Sequence, residues 1–472
     1  MSEIHGEYGE ARLPQHTGEE PPLPPPLPPP RRTPAQKHFA NPAKRNSPST
    51  IVRFSAIQPS DPSCLNIMTP RTVAIGPYHH GSPHLSTMEA AKLDALVEFC
   101  RVAGQTREAV RENILHFAGV IRNCYDIGDK KLRSINDDEL SEMMLRDGCF
   151  VLQFMNKVVV PMWPNHSLMS REDVVYARMD TIARDILLLE NQIPWFVIQL
   201  LMKLGKVDSK KVVSKFLDHM ATAFDVSTQP SSASHTSCWS NEEEDDKKEG
   251  NVKVDEEEGM EVPRHFLGLF HRHLVGKPST QQRDCLSLPP SLGNSALEQL
   301  DLARIGIKLT ASKTNKFGYM EMKKHRWPLG LFGKLSVAPV ALKEELTTCW
   351  LLSMVTYETL AGNFAVSSYI FLVAQLLHRE EDVQYLRARG IISSTMSDLE
   401  TFYFFKLATA NLRVGNHYIQ ISQRIKEYKQ ERWIWIAIHR FLYDNIKIII
   451  AVLSVVGVLA GLFKTILSQP QR

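Results

Sequence analysis

The chain has 472 residues, of which 43% are hydrophobic, and this is enough for a large buried core. Its formal net charge is only +3, because 55 basic residues are balanced by 52 acidic ones, and this gives no support for a nucleic-acid partner. The seven cysteines never form a C-x-x-C pair. That pattern favours reduced thiols in the cytosol over a disulfide framework or a zinc site.

Residues 1–50 are rich in proline and begin without the apolar segment of a signal peptide. We predict a disordered tail in which the run PPLPPPLPPPRR forms a polyproline II helix. Pro26, Pro29 and Arg31 match a P-x-x-P-x-R pattern that docks in aromatic-lined grooves. A stiff, solvated tail without a dedicated partner explains the same residues. A scaffold that recruits partners through this tail is one alternative for the function.

An ordered domain is predicted from Ile51, with its first half over residues 51–224. Residues 72–75 predict a short strand, and the Gly-Pro and Gly-Ser-Pro sequences that follow predict turns. Ser86 with Glu89 three residues later predicts a capping box at the start of the next helix.

Two groups of histidines raise the question of a metal site. One group lies in the turn that follows residue 76, and the other in the segment HFLGLFHRHLV. Neither has a third ligand at a suitable spacing, so we predict no metal and no cofactor. We interpret the first group as turn histidines and the second as residues on the polar face of a helix: His79, His80 and His84, then His265, His271 and His273.

Two amphipathic helices are predicted over residues 137–156 and 173–193. Asp147 lies within the apolar arc of the first helix, and Arg178 and Asp185 lie at the edge of the apolar arc of the second. A buried carboxylate is costly unless it is paired, so these three residues predict a buried ion network that joins the two helices. The alternative is a membrane-bound enzyme with a general acid/base pair, which requires Asp147 and Asp185 to line an open pocket.

The rest of the domain follows an acidic segment. Residues 225–263 are predicted to be a disordered linker, since positions 241–262 hold eleven Asp and Glu against three Lys. An acidic docking strip is the alternative. The second half, over residues 264–445, is predicted to contain a small antiparallel sheet between several helices. These elements are a helix over 265–275, the sheet within 303–342, core helices within 348–378 and a helix over 402–428.

Residues 446–467 are predicted to form a single transmembrane helix, followed by a short tail over 468–472. Positions 448–463 are uncharged, and the flanking Lys447 and Lys464 can extend their charged ends towards the interface. Basic residues are more numerous before this span than after it, which predicts a tail anchor with the main domain in the cytosol. The alternatives are the opposite orientation, which glycosylation at the Asn165 sequon would reveal, and a buried helix of a soluble domain.

Gly457 and Gly461 form a G-x-x-x-G pattern within this span, and such small residues let two transmembrane helices approach closely. They predict a possible homodimer contact. Glycine is also common in transmembrane helices without any such role.

Several blocks of the sequence resemble the signatures of the plant "domain of unknown function 247" family. In chain order they are GPYHHG (76–81), MEAAK (88–92), MMLRDGCFVLQFM (143–155), RDILLLENQIPWFVI (184–198) and LRARGII (386–392). The chain departs from the pattern at CLNIMTP (64–70), where the family usually has a Cys-x-Ile-x-x-Val-Pro element. The resemblance implies a plant-specific, mainly helical protein with a C-terminal membrane anchor and no established catalytic residues.

The fold class predicted is mainly α, with two packed helical halves, a small antiparallel β element and one C-terminal transmembrane helix. Some grass members of the resembled family act in pollen self-incompatibility, so the resemblance suggests recognition between proteins. The function predicted is therefore that of a membrane-tethered recognition protein without catalysis, whose protein partner is unknown.

Overall fold

The computed structural model describes most of the chain from Ile51 onward. The described residues are 51–53, 67–159, 172–207, 209–226, 264–276, 302, 305–314, 317–324, 332–409 and 412–467. Some predictions lie outside them: the proline-rich tail with Pro26, Pro29 and Arg31, most of the acidic linker, the Asn165 sequon and the tail 468–472.

The first half is built around one long helix. In chain order its helices are α1 (Thr87–Ala103), α2 (Arg107–Leu115), α3 (Ala118–Arg122), α4 (Lys130–Ser134), α5 (Asp137–Val159), α6 (Glu172–Tyr176), α7 (Met179–Ile186), α8 (Trp195–Leu204) and α9 (Ser209–Ala221). Two short 3₁₀ helices, Pro83–Leu85 and Thr222–Phe224, accompany them. The helices α1, α2, α8 and α9 all pack against α5. Because α5 is covered on several sides, its apolar residues and Asp147 are buried.

The helix predicted over residues 173–193 is broken into α6, α7 and a buried loop over 187–194. The side chains in this loop replace the hydrogen bonds that a longer helix would have made. Gln192 donates to the carbonyls of Ile186 at 2.6 Å and Leu188 at 2.9 Å, and Asn191 donates to the carbonyl of Asp185 at 2.9 Å. These bonds satisfy the free carbonyls at the end of α7.

Two local predictions in the segment before α1 are wrong. Residues 72–75 form no strand, because side chains from the loop 187–194 and α7 take up their backbone N–H groups. Ser86 is already in helical conformation, and its hydroxyl donates to the carbonyl of Pro83 at 2.7 Å. Glu89 instead binds Lys92, at 2.7 Å, so no capping box forms.

The second half combines helices with two small sheets. Its elements are α10 (Phe266–Val275), β1 (Ile307–Ala311), β2 (Met320–Lys324), β3 (Gly333–Val337), β4 (Val340–Leu342), α11 (Thr347–Ala361), α12 (Ala365–Leu376), α13 (Glu381–Ala388), β5 (Ile392–Ser394), α14 (Asp398–Ala408), α15 (Asn416–Glu431) and α16 (Trp433–Leu467). The first sheet has the order β1-β3-β2, and the second pairs β4 with β5. The predicted antiparallel pairing is present between β2 and β3, whereas β1–β3 and β4–β5 are parallel because long connections separate those strands.

The two halves pack together, as predicted. Phe224 at the end of the first half contacts Phe270 and Trp350 of the second, with ring centroids 6.4 Å and 6.0 Å away. The indole N–H of Trp350 also donates to the carbonyl of Arg184 at 3.3 Å. The described residues of the two halves therefore belong to one compact unit.

Candidate functional site

The carboxylate of Asp185 is bound by a row of backbone amides. The N–H groups of Arg71, Thr72 and Val73 donate to it at 3.0, 2.7 and 3.0 Å. The guanidinium of Arg184, which is also buried, approaches the same carboxylate at 2.6 Å. Burial raises the pKa of Asp185, and the three amides and Arg184 oppose that rise. This side chain therefore fixes the extended segment 71–73 against α7.

Asp147 has a separate set of partners. The ammonium of Lys92 on α1 lies 2.7 Å from one carboxylate oxygen, and the N–H of Gly76 donates to the other at 2.8 Å. Burial raises the pKa of Asp147 against the opposing effect of Lys92. Burial also disfavours the charged form of Lys92, but the carboxylates of Asp147 and Glu89 outweigh it and raise its pKa.

The prediction that Arg178 joins Asp147 and Asp185 is wrong. Arg178 is exposed at the start of α7, because the break between α6 and α7 changes the direction in which its side chain points. The cations are Lys92 and Arg184 instead, in two separate pairs. Lys92 lies on α1, whereas Asp147 lies on α5, so the sequence alone does not indicate that these two residues are in contact.

Gly76 is required where the segment 71–76 passes the loop 187–194. Its φ is +80°, a conformation that other residues rarely adopt, and a Cβ added here would lie 2.4 Å from the carbonyl oxygen of Gln192. Asn191 accepts from the N–H of Ile75 at 2.7 Å and donates to the carbonyl of Val73 at 3.0 Å. We call the following residues the buried polar core: Lys92, Asp147, Arg184, Asp185, Asn191 and Gln192.

Beside the buried polar core, Glu190 contacts two side chains that are partly exposed. His79 lies 3.2 Å from the carboxylate of Glu190, and Arg53 lies 3.6 Å from it. Arg53 also binds Asp129 at 2.6 Å and stacks 4.6 Å from the ring centre of Tyr78. Burial works against the charged form of Asp129, but Arg53 and the backbone N–H groups of Lys131 and Leu132 together outweigh burial and lower the pKa of Asp129. Arg53 thus faces two carboxylates of this cluster, and the ring of His79 faces one of them.

Five of the six histidines, all except His80, contact a partner within the described part of the domain. In the first group, His79 binds Glu190, and His84 lies 3.2 Å from the carbonyl of Pro70. In the second group, the polar-face prediction is wrong for His265 and His271, which are buried. His271 lies 2.7 Å from Glu358. Among the described residues no group of three His, Cys, Asp or Glu could hold a metal ion.

His265 caps the start of α10. Its Nδ1 accepts the N–H of Gly268 at 3.2 Å, so this nitrogen carries no proton in the folded state. Burial lowers the pKa of His265 to about 3. Below a pH of about 6.5 His265 binds a proton in the unfolded chain but stays neutral in the folded chain. The free energy of unfolding therefore falls as the pH falls.

We expect this histidine to make the fold acid-sensitive. Between pH 7 and pH 5 it should contribute a loss of about 2 kcal/mol in the free energy of unfolding. Replacing His265 with Asn, which can also cap a helix, should remove that contribution. Urea unfolding of the full chain in non-ionic detergent at both pH values measures it. The exposed His116 replaced with Asn is the control, and an unchanged pH dependence in the His265 variant would contradict the assignment.

A surface groove lined by residues of α2 and α5 does not contain the carboxylates of Asp147 and Asp185. It has a volume of about 490 Å³ and a charged lining that includes Arg107, Arg111 and Glu142. Arg107 and Arg111 are paired with Glu142 and Asp138, at 2.5 and 2.6 Å. Asp147 and Asp185 are 1% and 0% exposed, so they do not line the open pocket that the enzyme alternative requires.

The C-terminal helix α16 projects from the domain. It has 35 residues, which corresponds to a length of about 52 Å. Its segment Asp444–Leu462 has a mean hydropathy of 2.3, is long and apolar enough to cross a membrane, and is 0% buried. At its other end, the side chains of Trp435 and His439 contact Phe332, with ring centroids 5.9 and 5.6 Å apart.

The fold and site define a mainly helical domain with a closed polar core in its first half and an uncovered apolar helix at its C-terminal end. The family model described as a plant protein of unknown function, DUF247, matches residues 63–460, and the chain belongs to this family. It is also similar to UPF0481 protein At3g47200 of Arabidopsis thaliana, with 27% identity over 397 residues that cover 77% of this chain and 74% of that protein. No solved structure gives a significant match.

Proposed function

We propose that this protein is a membrane-tethered recognition protein whose domain lies in the cytosol. One observation carries the tether: the apolar segment Asp444–Leu462 is 0% buried. A core helix of a soluble domain would be covered by its own chain, because leaving a mostly apolar segment of 19 residues in water is costly. The basic residues that precede the span support the cytosolic orientation.

Two features support recognition over catalysis. The carboxylates of the buried polar core are enclosed and paired, which suits a rigid scaffold. On the neighbouring helices α13 and α14, three large side chains remain exposed: Tyr385 at 43%, Leu399 at 45% and Tyr403 at 61%. Leu399 and Tyr403 are four residues apart and share one face of α14. Exposed aromatic residues are typical anchors of protein interfaces.

The homodimer remains part of this proposal. Gly457 lies in the apolar span, and a Cβ added to it would meet nothing within 4 Å. The helix surface at this glycine is therefore available for close contact with a second copy in the membrane.

The tether is tested by adding charge to the span. We expect Val455→Asp together with Leu459→Asp to move the full chain from the membrane to the soluble fraction, because each Asp at a helix centre costs about 3 kcal/mol on insertion. Alkaline extraction of membranes from plant cells gives the readout. The control is Val97→Asp, at a residue that is 63% exposed on α1. If the double variant resists extraction as the wild type does, the tether is wrong.

The orientation and the recognition surface need separate measurements. Protease digestion of the domain in sealed vesicles, without a glycosidase-sensitive mass shift, is expected for a cytosolic domain; a protected domain would contradict it.

A photo-crosslinker placed at Tyr403 should capture a partner protein. The same crosslinker placed at Tyr176, which is 43% exposed in the first half, should not capture that protein. Identical capture at both positions would remove this surface from the proposal.

A further inference from the structure

The exposed face of the three-stranded sheet carries a row of lysines. Lys308 of β1 lies directly opposite Lys334 of β3, and Lys334 lies directly opposite Lys323 of β2. All three side chains are exposed, while their neighbours Ile307, Leu309, Met322 and Leu335 are buried. Like charges directly opposite each other destabilise a sheet. The stability of the sheet therefore does not explain why lysine occupies all three positions.

Only one of these lysines has an acidic partner within the part of the chain that the structure describes. Lys323 lies 2.8 Å from Glu321, two residues away on the same strand. Lys308 and Lys334 form no ion pair with the described residues. The face thus brings together three cations and one carboxylate.

This face begins beside the helix that leads into the membrane. Phe332, the residue before β3, contacts Trp435 and His439 of α16. Gly306, the residue before β1, lies beside the same helix, since a Cβ added to it would be 3.9 Å from His439. Lys308 and Lys334 are each two residues further along their strands, a distance of about 7 Å.

The distance from this contact to the bilayer is short. The apolar span starts at Asp444, five residues after His439, which is about 8 Å along the helix. Headgroups extend the bilayer by about 5–7 Å beyond each side of its apolar interior. Phe332 and His439 therefore lie near the level of the headgroups, and a lysine side chain on β1 or β3 can reach them.

We propose that the lysine face, defined as Lys308, Lys323 and Lys334, binds the anionic phospholipid headgroups of the membrane that holds α16. This inference rests on the membrane tether proposed above. The cytosolic leaflet is the negatively charged one, which agrees with the proposed orientation. Ammonium groups in a row match a surface of phosphate and carboxylate groups. The contact fixes the angle at which the domain lies on the membrane.

The rate of lysine acylation by a neutral reagent tests this contact. The full chain is placed in lipid nanodiscs of phosphatidylcholine alone, or with about a third of the lipid as phosphatidylserine. We expect Lys308 and Lys334 to react about fivefold more slowly in the anionic discs. Salt at about 1 M should abolish the difference. The exposed Lys130 and Lys206, far along the chain in the first half, serve as controls and should react equally in both discs.

A double variant tests whether the lysines act together. Lys308→Gln with Lys334→Gln should reduce the protection of Lys323 in anionic discs, while slow acylation of the buried Lys92 shows that the fold is intact. Equal reaction of Lys308 and Lys334 in both discs would overturn the lysine face and leave the tether standing. A chain that does not stay in the discs would overturn the tether, and this inference with it. Protection in neutral discs that disappears when residues 241–262 are deleted would assign the face to the acidic segment and overturn the lipid contact.

Discussion

Replacing Asp185 with alanine is expected to lower the free energy of unfolding by about 3–5 kcal/mol, among the largest effects of a single substitution in this chain. The change removes the acceptor for the N–H groups of Arg71, Thr72 and Val73. It also leaves Arg184 buried without the carboxylate that lies 2.6 Å from it. An uncompensated buried charge accounts for most of the loss, and the unpaired amides add to it.

The matched control is Asp180→Ala on the same helix. Asp180 is exposed in the first turn of α7, so its loss should cost less than about 1 kcal/mol. Urea unfolding followed by tryptophan fluorescence measures both variants. If the two substitutions cost the same, Asp185 does not hold the segment 71–73, and the account of this site fails.

Replacing Lys92 with methionine is expected to cost a similar amount, about 3–5 kcal/mol near pH 8. Methionine fills much of the volume of the lysine stem but leaves Asp147 buried, with the N–H of Gly76 as its remaining donor. Because burial then raises the pKa of Asp147 without an opposing cation, the folded variant binds a proton more readily than the unfolded chain. Its stability is therefore greater at low pH and is lost as the pH rises through the folded-state pKa.

The direction of this pH dependence distinguishes the loss of an ion pair from the loss of side-chain packing. The deficit of the Lys92→Met variant relative to the wild type should be smaller at pH 5 than at pH 8, and the contribution of His265 cancels in the difference. Adding Asp147→Asn should recover part of the loss, because the unpaired charge is then removed. The control is Arg101→Met on the same helix, a surface partner of Glu98 that is worth at most about 1 kcal/mol. A deficit independent of pH would contradict the pairing.

Both predictions bear on the function. Asp147 and Asp185 are the residues on which a general acid/base site would depend, and each is already engaged by several donors. Substitutions at these positions should therefore change stability first. Among the described residues, the surfaces open to other molecules include the exposed aromatic residues of α13 and α14, the lysine face and the apolar span of α16.

Much of the fold is visible in the sequence because it depends on local periodicity. The apolar spacing over residues 137–156 predicts the central helix α5, and the uncharged run over 448–463 predicts the uncovered span of α16. The position of Asp147 within an apolar arc correctly predicts that a carboxylate is buried. These properties follow from the order of residues along one helix, so no distant part of the chain is needed to predict them.

The tertiary structure alone decided which groups meet. The sequence predicts Arg178 as the cation of the buried network, but the side chains of Asn191 and Gln192 replace the expected helical hydrogen bonds and end α7. Lys92, Gly76 and the amides of residues 71–73 come from segments about 55 to 115 positions away from their carboxylates. The lysine row likewise exists only through the parallel pairing of β1 with β3. Contacts between distant segments depend on how the whole core packs, so local residue patterns do not predict them.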